Sequence, residues 1–352
     1  MKIFFKYREI VLLTLLVFLP LTLISTTIYV EMTGGFNTYE ETALVKKWGH
    51  GRVINGTAHS PQQIRIMVPF LVEGTRRLTG WNLNSVYVIF RILFTLAAAV
   101  ALYHYYLIQS NRAFAAAGVL YFFASIPIVF SHWKYPDYMP FLLSMVLGGI
   151  FILRDKKTAF RILIFLGTFN RAETGVWLIL LYFFFHFRWR KRDFLALVRE
   201  CIILSLFFGG AVAILRLRYG NPPNFMDDKQ HLAGFPLLSE SLGIYRWYFF
   251  GQTWDFKNIF TRESTWMFYM FVPFLVFFMG FFRSTDFRSR KILIYSFLYY
   301  VFYFSFAKIN ELRGYSILVY AVFPLVIFQV LRERDCIPGK SRNTSPTNAR
   351  DR

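Results

Sequence analysis

Between residues 10 and 30 the chain carries no charged side chain, and apolar runs of similar character recur as far as residue 331. A run of about 20 apolar residues matches the length a helix needs to cross a hydrocarbon core of about 30 Å. The runs show neither the period-2 alternation of a half-buried strand nor the 3.6-residue stripe of a surface helix. Hydrophobic residues make up 56% of the chain and charged residues only 17%, against about a quarter in an ordinary soluble domain. With 43 Phe and 21 Tyr the composition suits helices that face lipid and interface.

The expectation is an all-α, polytopic integral membrane helical bundle with about ten transmembrane segments. They fall at 10–30, 83–108, 113–133, 138–153, 158–168, 175–187, 194–215, 266–282, 292–307 and 315–331. The first follows Lys2, Lys6 and Arg8 as a signal peptide would, but it is too long for an h-region and lacks a small-x-small cleavage site. It reads as a retained helix. Residues 1–331 form one transmembrane domain with exofacial loops at 31–82 and 216–265, and 332–352 form a basic cytoplasmic tail without fixed structure.

Lysine and arginine orient the bundle. Arg112, the group Arg154, Lys156, Lys157 and Arg161, the group Arg188 to Arg192, and the group Arg283 to Lys291 fall in alternate connections. Short cytoplasmic loops collect such residues, so both termini are expected in the cytoplasm. The net charge of +20 then follows from loop composition, and no nucleic-acid partner is implied. Cys201 lies in an apolar run and Cys336 in the tail, with no disulfide framework or zinc spacing.

Four exofacial clusters carry polar chemistry. Tyr39-Glu40-Glu41 precedes a helix-compatible stretch to Trp48, followed by Gly49-His50-Gly51. Paired carboxylates raise one another's pKa and can divide acid and base roles, although two Glu in a loop are also common as plain solvated residues. Arg65 begins Arg-Ile-Met-Val-Pro-Phe-Leu and offers a guanidinium that matches phosphate, or an interfacial anchor. His132-Trp-Lys-Tyr-Pro-Asp137 is a polar turn whose Asp137 can equally cap the next helix. The fourth cluster pairs Arg171 and Glu173 with Glu311 and Arg313. Ionisable residues at membrane depth are costly and usually functional; the blander role is a set of ion pairs locking helices together. Arg91 lies within an apolar run and is a further intramembrane candidate.

The run 158–168 is too short to cross, at about 1.5 Å per residue. Asn170-Arg-Ala-Glu-Thr174 is therefore expected to sink into the membrane from the exofacial side, whether 158–187 spans fully or is re-entrant. The segment 237–250 has the amphipathic, aromatic pattern of an interfacial helix.

The order of these motifs resembles the GT-C superfamily of polytopic membrane glycosyltransferases and its uncharacterised bacterial relatives. The resemblance rests on Arg65-Ile-x-x-Pro-x-Leu, Tyr135-Pro-Asp137, Asn170-Arg-x-Glu-Thr and Glu311-x-Arg313, and covers roughly 31–324. It implies transfer of a sugar from a polyprenyl-phosphate donor on the exofacial face of the bacterial inner (plasma) membrane. It also implies an essential carboxylate in the first exofacial loop, where Glu40-Glu41 takes the place of the Asp-Glu of several relatives. On this reading Glu40 or Glu41 deprotonates the acceptor hydroxyl. Arg65, Arg171 or Arg313 holds the lipid phosphate, Glu173 and Glu311 orient those arginines, and Asp137 joins the substrate-binding set. No metal is expected, since the chain lacks Asp-x-Asp, and no cofactor beyond the lipid-linked sugar. The partners are that sugar and membrane lipid. The alternatives are a transporter or lipid flippase, or a non-catalytic or polymerase-type component of cell-envelope polysaccharide assembly.

Overall fold

The computed structural model describes residues 2–32, 50–58, 65–129, 136–187, 191–220, 291, 294–299 and 320. Within these the chain is almost wholly helical, with no strand. The first helix runs as α1 (Lys2–Leu13), a π-helical turn (Thr14–Phe18) and α2 (Leu19–Met32). Then come α3 (His50–Asn55), α4 (Met67–Thr79), α5 (Leu83–Gln109), α6 (Arg112–Val129) and α7 (Tyr138–Leu153). The described part closes with α8 (Lys157–Asn170), α9 (Ala172–His186) and α10 (Lys191–Tyr219).

Three helical stretches are long and apolar enough to cross a membrane: Arg8–Ile28, Leu83–Gln109 and Arg192–Tyr219, with mean hydropathies of 2.3, 2.1 and 2.0. They do not bury like the helices of a soluble core. In the first and third only 22% of the most apolar window is buried, and Leu16, Ile202 and Leu206 are largely exposed. Such exposure is unfavourable in water and costs nothing against lipid tails, which are as apolar as leucine.

Local sequence explains the boundaries. Asn82 caps α5 by accepting from the Asn84 N–H at 2.8 Å. Gly80, at φ 71°, takes the left-handed conformation that ends α4 and donates to the Arg76 carbonyl. Pro69 lies in the first turn of α4, where a missing N–H removes no helical bond. This helix falls inside the segment 31–82 expected as a loop, because Glu73, Arg76 and Arg77 disguise the apolar stripe through Val68 and Val72.

The core is aromatic. Tyr103, Tyr106, Phe122, Phe141 and Phe160 are buried among α5 to α9, with Tyr299 and Tyr320 against them. Buried phenols are satisfied by backbone, as in Tyr106 Oη donating to the Tyr320 carbonyl and Tyr295 Oη to that of Trp177. Small residues allow close helix approach. A Cβ on Gly118 would meet the Tyr106 ring at 2.5 Å, and one on Gly175 would meet the Phe208 ring at 2.5 Å.

Arg161 reaches from α8 to Glu200 on α10 at 2.7 Å, and Lys291 donates to the carbonyls of Phe185 and Phe187 at the end of α9. The first contact joins the sides of two helices; the second sets Lys291, from a basic loop expected in the cytoplasm, against the carboxyl end of α9, where a cation complements the macrodipole.

Candidate functional site

The polar site begins at a break between two helices. Arg171 alone is extended, at φ −153° and ψ 121°, between α8 and α9. Its N–H still donates to the Gly167 carbonyl, and the Thr174 N–H donates to the Arg171 carbonyl. One non-helical residue therefore reverses the chain, and α8 and α9 pack as a tight hairpin in which Gly167 lies against Thr174. At 14 and 15 residues, the helices extend only about 21–23 Å, which agrees with the expectation of short segments flanking a polar turn.

The turn sends the Arg171 guanidinium inward. The residue is 5% exposed, and its Cζ lies 4.7 Å from the ring centroids of both Tyr138 and Phe141. An arginine over aromatic faces gains cation–π attraction as it loses water. Its Nε lies 3.5 Å from Asp137 Oδ2, and its Nη2 pairs with Glu173. Glu173 is more open, with its side chain 39% exposed, so the cluster runs from a buried end at Asp137 to a rim at Glu173.

Arg65 arrives from the other side. It stands just ahead of α4, and its Nη1 lies 3.4 Å from the same Asp137 Oδ2. Asp137 occupies the N-cap position of α7 but makes no side-chain capping bond. The two arginines, not the helix end, determine where its carboxylate points. Asn170 completes the set by donating from Nδ2 to the Asp137 carbonyl at 2.9 Å. The two arginine distances are ion-pair distances and longer than charge-assisted hydrogen bonds of about 2.7–2.9 Å. Asp137 Oδ2 and Asn170 Oδ1 have no hydrogen-bond partner among the described residues. The arrangement can hold an anion between two guanidiniums if a carboxylate gives way.

Of the residues singled out in the sequence, Arg65, Asp137, Arg171 and Glu173 come together here. Glu40, Glu41, Glu311 and Arg313 lie outside the described residues. The ion pairs envisaged between Arg171 and Glu311 or Glu173 and Arg313 therefore fall outside the described residues; among those described, Arg171 pairs with Glu173 and Asp137.

A second polar cluster escaped the sequence reading. His50, at the start of α3, places Nε2 3.1 Å from Glu73 Oε2 and Nδ1 2.9 Å from Tyr87 Oη. Arg77 Nε donates to Glu73 Oε1 at 2.6 Å and Arg76 Nε to Oε2 at 3.0 Å. The Arg77 hydrogen bond, helped by those from His50 and Arg76 against the cost of burial, holds the Glu73 carboxyl down at about 2. Burial lowers the pKa of His50, outweighing the Glu73 contact that raises it. Glu73 is therefore ionised and His50 neutral at pH 7. Nε2 must then carry the proton donated to Glu73, and Nδ1 accepts from the Tyr87 hydroxyl. Only His50 was visible as a candidate in sequence; nothing local signals that a charged residue 23 positions away will meet it.

Among the described residues no group of three or more His, Cys, Asp or Glu is placed to hold a metal ion. Compared with models of known protein families, with curated proteins and with solved structures, the chain matches none.

Proposed function

We propose that the chain is a multi-pass membrane glycosyltransferase of the GT-C kind, acting on a polyprenyl-phosphate-linked sugar at the exofacial side of a bacterial plasma membrane. The observation that supports this best is the meeting of Arg65 and Arg171, far apart in sequence, on Asp137 beside Glu173. Guanidiniums brought together from separate segments match the geometry of a phosphate. The three long apolar helices and their exposed leucines support the membrane location. About ten spans with both termini cytoplasmic extend the same pattern through the rest of the sequence.

In this reading the acceptor oxygen attacks the anomeric carbon while Glu40 or Glu41 takes its proton. The bond from that carbon to the donor phosphate breaks, and the configuration inverts. Arg65, Arg171 or Arg313 stabilises charge on the departing lipid phosphate. Glu173 and Glu311 hold the arginines in place, and Asp137 occupies the anion position between substrates.

One observation favours a second, non-catalytic role. Two arginines and two carboxylates sum to zero charge, and Arg171 is buried, so the cluster also has the form of a structural lock. Sugar transfer from a polyprenyl-phosphate donor decides between them, comparing the natural chain with Glu40→Gln, Glu41→Gln and the double variant. The enzyme reading expects turnover to fall roughly 10²–10⁴-fold with donor binding retained. A double variant at full activity removes the carboxylate assignment, and a natural chain that binds no lipid-linked sugar removes the enzyme.

A further inference from the structure

One end of the described bundle carries arginines beside exposed, large apolar side chains at the carboxyl ends of two helices. Helix α4 contributes Arg76 and Arg77 in its last turn, and α10 contributes Arg216 and Arg218 in its own. All four are exposed. Near this end the last turn of α10 reaches the first turn of α4: Arg218 Cζ lies 4.8 Å from the Phe70 ring centroid, and the Tyr219 ring lies against Gly56 of the preceding segment. Next to them in the chain stand Leu78, 89% exposed, Leu217, 87% exposed, and Trp81, 52% exposed.

We propose that this end of the bundle is a docking surface for the anionic headgroups of glycerophospholipids, with Leu78, Leu217 and Trp81 seated at the boundary between headgroup and acyl chain. The inference rests on the membrane reading given above but not on the enzymatic one. Three observations carry it. Only residues 80–82 separate α4 from the long apolar helix α5, and three residues reach at most about 11 Å. Helix α4 is therefore held at the level where α5 leaves the hydrocarbon. Its buried face, through Val68, Val72 and Glu73, packs inward on Val86, while Leu71, Gly74 and Leu78 lie along the outer face. That division is the pattern of a helix lying in an interface. Arg76 and Arg77 share the single carboxylate of Glu73, which leaves a net charge of +1 from those three, beside the two arginines of α10.

Complementing the carboxyl ends of α4 and α10 would account for basic residues in each last turn. It does not account for leucines this exposed beside them. An apolar residue and an arginine side by side are both satisfied at a membrane surface, where the stem and ring enter the boundary and the guanidinium meets phosphate.

The test uses the full chain in lipid nanodiscs, with Cys201 and Cys336 replaced by Ser and a nitroxide introduced at Leu78→Cys, Leu217→Cys or Leu93→Cys. Leu93 is exposed midway along α5 and reports on the span itself. Collision with oxygen against a water-soluble nickel chelate is read by electron paramagnetic resonance. The proposal expects all three labels to favour oxygen, with Leu93 deepest. If Leu93 favours the nickel chelate, the membrane reading fails; if Leu93 favours oxygen while Leu78 and Leu217 favour nickel, the docking surface alone fails. A second arm offers the detergent-purified protein equal phosphatidylglycerol and phosphatidylcholine and counts retained lipids by native mass spectrometry. Preference for phosphatidylglycerol is expected to fall about fivefold for each arginine removed in Arg216→Gln and Arg218→Gln. The Lys versions are expected to keep it, which controls for folding. A preference unmoved by the Gln variants overturns the proposal. So does strong selection of a polyprenyl phosphate over phosphatidylglycerol at these arginines, since the surface would then serve a substrate.

Discussion

Arg171 and Asp137 meet at 3.5 Å across the start of two different helices, each residue 5% exposed. The carboxylate stands where a helix cap belongs and does not cap. Removing one member leaves the other buried with only its second partner, Arg65 for Asp137 and Glu173 for Arg171, at a cost of up to about 3–5 kcal/mol. Arg171→Gln and Asp137→Asn should each lower the thermal unfolding midpoint of the purified chain strongly. The double variant should lose less than the sum of the two. Glu173, on the rim, should behave differently: Glu173→Gln is expected to cost about 0–1 kcal/mol. Equal losses at Glu173 and Asp137 would contradict the buried-to-open ordering of the cluster.

The His50–Glu73 contact predicts an acid limb in stability. Glu73 titrates lower in the folded chain than its ordinary 4.5, so its contribution is full above about 4.5 and is lost as pH falls toward 2. His50 is also depressed, from 6.5, chiefly by burial. The unfolded chain therefore binds the imidazole proton more readily, and stability falls as pH drops below 6.5. Thermal unfolding measured from pH 7 downward should show the first loss abolished in His50→Gln and the second in Glu73→Gln. An unchanged acid profile in both variants would show that this cluster does not hold α3 to α4.

Two glycines in helices should respond in opposite directions. A Cβ at Gly118 would stand 2.5 Å from the ring of the fully buried Tyr106, whereas at Gly210 it meets nothing within 4 Å among the described residues. Gly118→Ala should cost about 1–3 kcal/mol through overpacking. Gly210→Ala should be neutral or stabilise by up to about 1 kcal/mol through helix propensity. Denaturation of both in the same detergent measures the difference, and similar losses would mean that α5 and α6 do not approach as closely as described.

The orientation drawn from the basic loops places 216–265 outside the cell and the connection at 283–291 inside. Labelling of single cysteines with a membrane-impermeant reagent in intact cells should modify Ser239→Cys and spare Ser289→Cys. Both positions lie outside the described residues, so the assignment rests on the charge pattern alone. Modification of Ser289→Cys from outside would invert the topology.

The long apolar helices were legible because their signal is local. The run 138–153 coincides with α7, and 83–108 with α5 to within one residue. The hairpin break was legible too, as a turn over 170–174 between short segments; the structure extends both helices into it and leaves Arg171 alone non-helical. What escaped was amphipathic and tertiary. Helix α4 needs its Val68–Val72 stripe weighed against three charges, and its Gly80 terminus recognised as a cap rather than a loop residue. Asp137 looked like a cap because that role depends only on neighbours in sequence; its pairing with Arg65 depends on a contact spanning 72 positions.

The π-helical turn at Thr14–Phe18 has a bearing on how the first helix can evolve. The Leu19 N–H reaches the Thr14 carbonyl, five residues back, so this turn holds one residue more than a regular helix would. Pro20 follows immediately and has no N–H of its own to offer. Elsewhere in the helix, losing one residue would swing everything beyond it by about 100° and turn Phe18 away from Tyr103, which it now meets at a centroid distance of 5.7 Å. Within 14–18 a deletion instead absorbs the surplus and leaves the faces on either side in phase. This short stretch is the place where the amino-terminal helix can tolerate a change of length, and a deletion scan along 8–28 should find its single permissive window there.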